Sequence, residues 1–380
     1  MRKWMTLVLV VAVACGVATG CRFSQVNSQA TVAISGRALD AEGAPLVGAQ
    51  VRLFKEADLG EALVGVVLAV GSLGAVCLLP AAPAVCRQAH VTTTGAGGGY
   101  QFDLKGSDTQ GLIGTEATLD LVVATPGAGA NGASTTISFT ARTTSVTLPD
   151  ARLWNASPRV AEGSGHIRLA WSSLPAADGR GATYSAQLFD PARQAALWSQ
   201  PASGTSAAID ARVLEDRSAT AAVAARATPS GGSGGGSVHA SYLSSRSTVT
   251  PLAGPPPSRH RPCLAVTGTA TPTTTPQPTC TATDGDVVTP ARLTAVKAAV
   301  VTGVVVDLGS VRPVNLVVAR GLAGMFLVEL SNDGVTYRQV AIGTDSTVAL
   351  SPPGQPTARF VRVRSPSGLD ESLLSEVSVW

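Results

Sequence analysis

The chain has 380 residues, of which 45% are hydrophobic and 14% are charged. This hydrophobic content is enough to bury real cores and excludes a generally disordered chain, and the length predicts two or three domains. The 40 glycines and 24 prolines favour short strands joined by turns over long helices, so we predict an all-β protein. The net charge is +3, and the basic residues form no stripe along the sequence, so no nucleic-acid partner is expected.

The first 21 residues have the pattern of an export signal. Arg2 and Lys3 precede an apolar run over residues 4–14, and small residues then lead to Cys21. The Ala-Thr-Gly-Cys ending resembles the lipobox of bacterial lipoproteins, in which the cysteine becomes a lipid-carrying N-terminus. The resemblance implies export to the bacterial cell surface and a lipid anchor in the membrane at Cys21, with Cys15 as a second candidate. An ordinary cleaved signal peptide is the alternative interpretation.

The other four cysteines form two local pairs along the sequence, Cys77 with Cys86 and Cys263 with Cys280. An even number of cysteines in an exported chain predicts disulfide bonds. A metal site is the weaker alternative, because the sequence has no C-x-x-C motif and its four histidines are scattered.

Residues 62–79 form an uncharged stretch of 18 residues, which is long enough to be a membrane-span candidate. The stretch contains three glycines and a cysteine, and it lies inside what reads as a single β-domain. We therefore interpret residues 59–86 as a buried, partly helical insertion that is closed by the Cys77–Cys86 disulfide.

Residues 30–155 read as a first domain of short strands separated by turns, a pattern typical of a β-sandwich. Ser35–Val51 runs S-G-R-A-L-D-A-E-G-A-P-L-V-G-A-Q-V, and Thr92–Phe102 ends in G-G-Y-Q-F. Together these two stretches resemble the motifs of carboxypeptidase regulatory-like domains. The resemblance implies a transthyretin-like sandwich that serves as a stalk or binding module without catalytic residues.

Residues 156–253 alternate in a pattern similar to that of a fibronectin type III domain, with Trp171 and Tyr242 as predicted core residues. His166 and His239 are interpreted as tolerated strand residues rather than as ligands. Residues 254–262 include three consecutive prolines, which favour an extended, semi-rigid linker.

Residues 261–380 contain an Asn-Asp-Gly turn between apolar runs, which is a strong hairpin signal. Several stretches in this segment resemble, in order, those of discoidin-like domains, the coagulation-factor C-type galactose-binding jelly rolls. The resemblance implies a jelly roll after the two sandwiches. Its motifs are residues 282–286, 305–309, 328–337, 358–363 and 375–380.

The same resemblance implies a structural calcium site. In the family, the turn that Asp284 and Asp286 form here binds calcium together with a glutamate near the end of the domain, and Glu376 matches that position. Thr289 would add a hydroxyl oxygen, and Ca²⁺ prefers such hard oxygen ligands. A plain turn with solvated charges is the alternative.

Jelly rolls of this family bind sugars through loops at one end, often with an aromatic residue and an arginine. Arg292 and Lys297 lie near the corresponding loop and are the predicted ligand-binding residues. The aromatic residues of the segment (Phe326, Tyr337, Phe360 and Trp380) are interpreted as core.

No enzymatic activity is expected, because the sequence has neither an H-E-x-x-H motif nor a P-loop, and adjacent acids such as Glu215 and Asp216 are interpreted as a solvated turn. Two functions stay open. The first is a surface lipoprotein that binds a glycan or wall polymer through its C-terminal domain. The second is a scaffold or spacer that presents its β-domains to a protein partner.

Overall fold

The computed structural model describes residues 23–55, 87–111, 115–127, 129–154, 156–163, 165–175, 180–229, 231–251, 253–267, 280–286, 291, 301–321, 325–343, 347–350, 356–365 and 374–380. Within these ranges the regular structure consists of β-strands and short 3₁₀ turns, without an α-helix. The all-β prediction is therefore confirmed. No helix in this part of the chain is long and apolar enough to cross a membrane.

The first fourteen strands of the described ranges lie between residues 31 and 228. They are β1 (Thr31–Leu39), β2 (Gln50–Lys55), β3 (Arg87–Thr93), β4 (Gly99–Lys105), β5 (Thr118–Ala124), β6 (Ser134–Thr140), β7 (Ser145–Thr147), β8 (Ala151–Arg152), β9 (Arg159–Gly163), β10 (His166–Ala170), β11 (Arg180–Phe189), β12 (Ala196–Ala202), β13 (Ser206–Asp210) and β14 (Ala219–Thr228).

Ten more strands follow. They are β15 (His239–Leu243), β16 (Ser247–Val249), β17 (Cys263–Thr267), β18 (Val301–Pro313), β19 (Val317–Arg320), β20 (Phe326–Ser331), β21 (Arg338–Gly343), β22 (Thr347–Leu350), β23 (Thr357–Arg364) and β24 (Glu376–Val379).

The chain divides into two compact units. The first holds Met1–Ser157, Ser172–Tyr184 and Val223–Arg246, and the second holds Pro158–Trp171, Ser185–Ala222 and Ser247–Trp380. Residues of the segment 156–253 thus belong to both units. Trp171 and Tyr242 are buried as expected, and His166 and His239 are exposed.

The core of the first unit lies between two sheets. In one sheet, β1 pairs with β4 in antiparallel and with β7 and β8 in parallel orientation. In the other, β5 lies between β2 and β6, β3 pairs with β2, and β15 pairs with β6. Side chains that alternate along the strands fill the space between the sheets, because successive strand residues point to opposite faces. They include Ile34, Leu53, Phe102, Leu121 and Ile137.

The second unit contains a small sheet in which β10 lies between β9 and β13. The rest of its core lies between two further sheets of the segment 261–380. The order is β17-β18-β23-β20-β21 in one sheet and β22-β19-β24 in the other. Both sheets contribute to a shared apolar cluster that includes Val306, Phe326, Val363, Val317 and Val377. This segment is therefore a β-sandwich.

Several predictions fall outside the described residues. These are the signal peptide of residues 1–21, with Cys15 and Cys21, and the insertion of residues 59–86, with Cys77 and Cys86. The strands that flank the insertion are paired at their ends, where Lys55 lies opposite Arg87.

Candidate functional site

The candidate site begins at the turn formed by Asp284, Gly285 and Asp286. A disulfide between Cys263 on β17 and Cys280 precedes this turn, with 5.4 Å between the two Cα atoms, so this predicted pairing is confirmed. Gly285 has a φ of 88°, a left-handed conformation that glycine adopts without strain. The turn therefore starts from a cross-linked and buried pair of cysteines.

Glu376, the first residue of β24, lies against this turn. Its Oε2 accepts a hydrogen bond of 3.1 Å from the backbone N–H of Gly285. The side chain is fully buried, and Oε1 has no hydrogen-bond partner among the described residues. Burial, followed by the nearby negative charge of Glu215, raises the pKa of Glu376 to about 8. The structure thus brings together the turn and the glutamate that were singled out from the sequence.

The two aspartates of the turn are arranged differently. Asp284 is exposed, and its Oδ1 accepts a hydrogen bond of 2.8 Å from the backbone N–H of Asp286. The Oδ1 of Asp286 accepts a hydrogen bond of 2.7 Å from Nη1 of Arg193. One carboxylate of the predicted ligand set is therefore paired with a guanidinium. Thr289 lies outside the described residues.

Two of these groups have the chemistry that a calcium ion requires. A buried carboxylate oxygen without a partner is costly, and a hard cation is a group that would satisfy it. Glu376 provides such an oxygen, and the negative charge of Asp284 contributes to its raised pKa. These two residues fit a hard cation, whereas Asp286 is bound to Arg193. Among the described residues, no group of three or more histidines, cysteines or acids is close enough to hold a metal by itself.

The predicted sugar-binding residues, Arg292 and Lys297, lie outside the described residues. The aromatic residues of the same sandwich are described, and their interpretation as core holds for Phe326, which is fully buried. Tyr337, Phe360 and Trp380 are partly exposed and lie outside the core cluster. The core interpretation of these three rings was therefore wrong.

The rings of Tyr337 and Phe360 instead pack against arginines. The guanidinium of Arg362 lies 4.0 Å from the centroid of Tyr337, and that of Arg359 lies 4.8 Å from the centroid of Phe360. For Phe360, the strand alternation of β23 contains the signal that could have shown this. Because Val361 is buried in the core, its neighbours at 360 and 362 point to the opposite face.

Two glycine-rich strings in the sequence match the consensus of a known catalytic motif and of a nucleotide-binding motif. Gly231–Gly235 fits G-x-S-x-G, and Gly127–Gly132 fits G-x-G-x-x-G. Both motifs need a strand before them and a helix after them. Here Gly127–Gly132 connects β5 to β6, and Ser233 pairs through its backbone with Thr147. Neither string has the context that such a motif requires.

Comparisons with known proteins give no family for the chain, because no family model matches its sequence and no curated protein does. Some solved structures are similar to part of it. One is CBM32 of AlyQ in complex with 4,5-unsaturated mannuronic acid, with 24% identity and a TM-score of 0.18, over 20% of this chain and 69% of the other.

Another is chitosan-binding module 2 from the chitosanase/glucanase of Paenibacillus sp. IK-5, in complex with chitotriose. It has 16% identity and a TM-score of 0.25, over 33% of this chain and 98% of the other. The family 89 glycoside hydrolase from Clostridium perfringens has 16% identity and a TM-score of 0.26. The similar region covers 33% of this chain but only 14% of that enzyme.

Proposed function

We propose that the chain is a non-catalytic surface lipoprotein whose C-terminal sandwich, residues 261–380, binds a glycan or cell-wall polymer. One observation carries this proposal. The ordered stretches that resemble discoidin-like domains lie in a single sandwich, and the first of them, the turn at Gly285, meets the last at Glu376 through a hydrogen bond of 3.1 Å. This is the relationship between first loop and last strand that the resemblance implies.

Arg292 and Lys297 are the residues that we propose for ligand contact. They follow the turn in sequence, and their long cationic side chains can donate hydrogen bonds to sugar hydroxyls or to the acidic groups of a polymer. The disulfide and the turn fix the backbone a few residues before them. A sugar site of this kind gains affinity from side chains that are held in place before the ligand arrives.

A calcium ion at the turn is part of the proposal and has a structural role. Asp284 and Glu376 would hold it, with Thr289 as a further ligand. When bound, calcium would supply positive charge to the buried carboxylate of Glu376. The chain's own contribution is to join the first loop of the sandwich to its last strand at that point.

Membrane attachment is proposed to occur through lipid on Cys21, with export to the bacterial surface. The Arg-Lys start and the small residues before Cys21 support this. Replacing Cys21 with Ser and fractionating the cells tests it, since the variant should leave the membrane pellet. If the variant stays in the pellet while a Cys15→Ser variant leaves it, the anchor is at Cys15 and the proposal for Cys21 is wrong.

The binding function is tested by co-sedimentation of the purified full-length protein with insoluble wall polysaccharides, with free oligosaccharides as competitors. We expect the protein to sediment with at least one polymer and to be released by the matching oligosaccharide. The variant Arg292→Ala/Lys297→Ala should sediment less, and Arg338→Ala, which changes an exposed arginine on β21, should behave like the wild type. Absence of sedimentation with every polymer would favour the scaffold function instead.

A further inference from the structure

Glu215 is the centre of a buried cluster of charges in the second unit. It follows a 3₁₀ turn, Ala211–Leu214, and has a φ of 58°, which is unusual for a residue other than glycine. Its side chain has no exposed surface. The interpretation of Glu215 as part of a solvated turn was therefore wrong.

Three arginines surround the Glu215 carboxylate. Arg320 lies 3.4 Å from Oε1, Arg217 lies 3.2 Å from Oε2, and Arg259 donates a hydrogen bond to Oε2. Ser378 also donates a hydrogen bond of 2.5 Å to Oε1. Burial by itself would raise the pKa of Glu215, but Arg320 and Arg217 hold it below its usual value. The carboxylate is therefore ionised and fully paired.

Arg320 shows that the cluster connects two parts of the chain. It belongs to β19 of the C-terminal sandwich, yet its guanidinium donates hydrogen bonds to the backbone carbonyls of Val213 and Leu197. Only 2% of its side chain is exposed. A charged group at this depth is stable only where its charge and its hydrogen bonds are satisfied. Residues from the segment Leu197–Glu215 provide both.

The predicted linker also takes part. Arg259 forms two hydrogen bonds to Asp216, at 2.7 and 2.8 Å, in addition to its contact with Glu215. The neighbouring Ser258 is fully buried, and its Oγ accepts a hydrogen bond of 2.8 Å from the backbone N–H of Val379. These residues of the segment 254–262 are therefore packed against the C-terminal sandwich.

Two arginines that precede the sandwich in sequence also contact the candidate calcium turn. Arg217 Nη2 donates a hydrogen bond of 2.5 Å to the carbonyl of Gly285. Arg193 donates to Asp286 at 2.7 Å, as described above. The turn is thus held both by its own sandwich, through Glu376, and by arginines that precede the sandwich in sequence.

We propose that residues 193–217 and 256–260 form an integral part of the C-terminal sandwich, and that the charge cluster of Glu215 makes them one cooperative body. The functional module then begins near Arg193 and not at residue 261. A shortened protein that begins at residue 261 would lack Glu215. Arg320 would then have lost its carboxylate partner, whether its side chain stayed buried or became exposed. This inference concerns the body that carries the ligand site and does not depend on which ligand is bound.

Hydrogen–deuterium exchange of the full-length protein tests the proposal. The variant Arg320→Gln, on β19, should increase exchange in the distant peptide that covers residues 211–217, and Glu215→Gln should increase exchange in residues 256–262 and 376–380. We expect at least a tenfold faster exchange at these sites, because a buried charge loses its partner in each variant. The matched control is Asp307→Asn, which breaks the partly exposed pair of Asp307 with Arg359 in the same sandwich. It should leave residues 211–217 unchanged.

If Glu215→Gln or Arg320→Gln does not fold, Ser378→Ala provides a milder test. It removes the hydrogen bond that Ser378 donates to Glu215 and the one that it accepts from Arg320, and it leaves both charges in place, so it should raise exchange in residues 211–217 by a smaller factor. The proposal is overturned if exchange changes only in the strand or turn that carries the substitution. It is also overturned if Asp307→Asn affects residues 211–217 as strongly as Arg320→Gln does.

Discussion

Tyr100 lies across Gly36 in the paired strands β1 and β4, with its hydroxyl over the glycine Cα. A Cβ atom on residue 36 would lie 2.3 Å from the Tyr100 oxygen and 2.7 Å from Cζ. The ring is buried, and its hydroxyl has no hydrogen-bond partner among the described residues. The glycine of the S-G-R-A-L stretch is thus required by packing against a neighbouring strand.

Gly36→Ala should therefore destabilise the first unit, because either the ring or strand β1 must move. Overpacking of this kind costs about 1–3 kcal/mol. Gly99→Ala is a matched control in the same ladder, since a Cβ at residue 99 would have no neighbour within 4 Å. Urea unfolding of the full-length protein measures both variants. Equal midpoints for Gly36→Ala and the wild type would show that the Tyr100 contact is wrong.

The disulfide between Cys263 and Cys280 should contribute about 3 kcal/mol to stability, because it closes a loop with a sequence separation of 17 residues. Cys263→Ala/Cys280→Ala should lower the midpoint of the second unit's unfolding, and reduction of the wild type should have the same effect. Non-reducing peptide mapping should recover the Cys263–Cys280 linkage and also tests the predicted Cys77–Cys86 linkage. Crossed linkages between the two pairs would contradict both assignments.

Asp333 in the hairpin turn should make the free energy of unfolding depend on pH under acidic conditions. Its Oδ1 accepts hydrogen bonds of 2.8 Å from the N–H groups of Val335 and Thr336, which lower its pKa to about 2. Because the folded pKa is below the unfolded value, this contribution is fully present above about pH 4. It is lost as the pH falls towards 2. Asp333→Asn should flatten the dependence of the free energy of unfolding on pH between 2 and 4.

The control for this measurement is Asn332→Ser, which changes the preceding turn residue without removing a titrating group. Its stability should depend on pH as that of the wild type does. A slope between pH 2 and 4 that is the same in Asp333→Asn and in the wild type would mean that the turn does not depress the pKa of Asp333.

Calcium should raise the melting temperature of the full-length protein, by an amount that grows with the logarithm of its concentration above the dissociation constant. Glu376→Gln should blunt the rise, because Glu376 is the buried carboxylate of the proposed site. Asp307→Asn should keep it, since Asp307 is paired with Arg359 elsewhere in the sandwich. Identical melting curves in calcium and in chelator would remove calcium from the proposal.

The fold class and parts of the candidate site could be predicted from sequence because they depend on local signals. Alternation within β4 and the Asn-Asp-Gly turn act over a few residues, and the approach of Glu376 to Gly285 followed from resemblance to a family. The burial of Glu215 could not be predicted in this way. Its partner Arg320 is 105 residues away in sequence. The local sequence Glu-Asp is the same whether the two side chains are solvated or buried, so it does not reveal burial.

The outward position of Phe360 was missed for a different reason. Aromatic residues are buried so often that their type outweighed the alternation of β23, although Val361 and Val363 point into the core and fix the opposite face for residue 360. In β23 the alternation of side chains along the strand was a better guide to the position of residue 360 than its aromatic type.

A glycan array probed with the full-length protein tests the central claim most directly. The claim is that the C-terminal sandwich binds a glycan or wall polymer. We predict binding to a chemically related group of glycans, reduced at least tenfold in Arg292→Ala/Lys297→Ala and retained in the surface control Arg338→Ala. Absence of binding to any glycan by the folded wild-type protein, in calcium as well as in chelator, would contradict the claim. Binding that is equal in wild type and Arg292→Ala/Lys297→Ala would instead contradict the proposed position of the site.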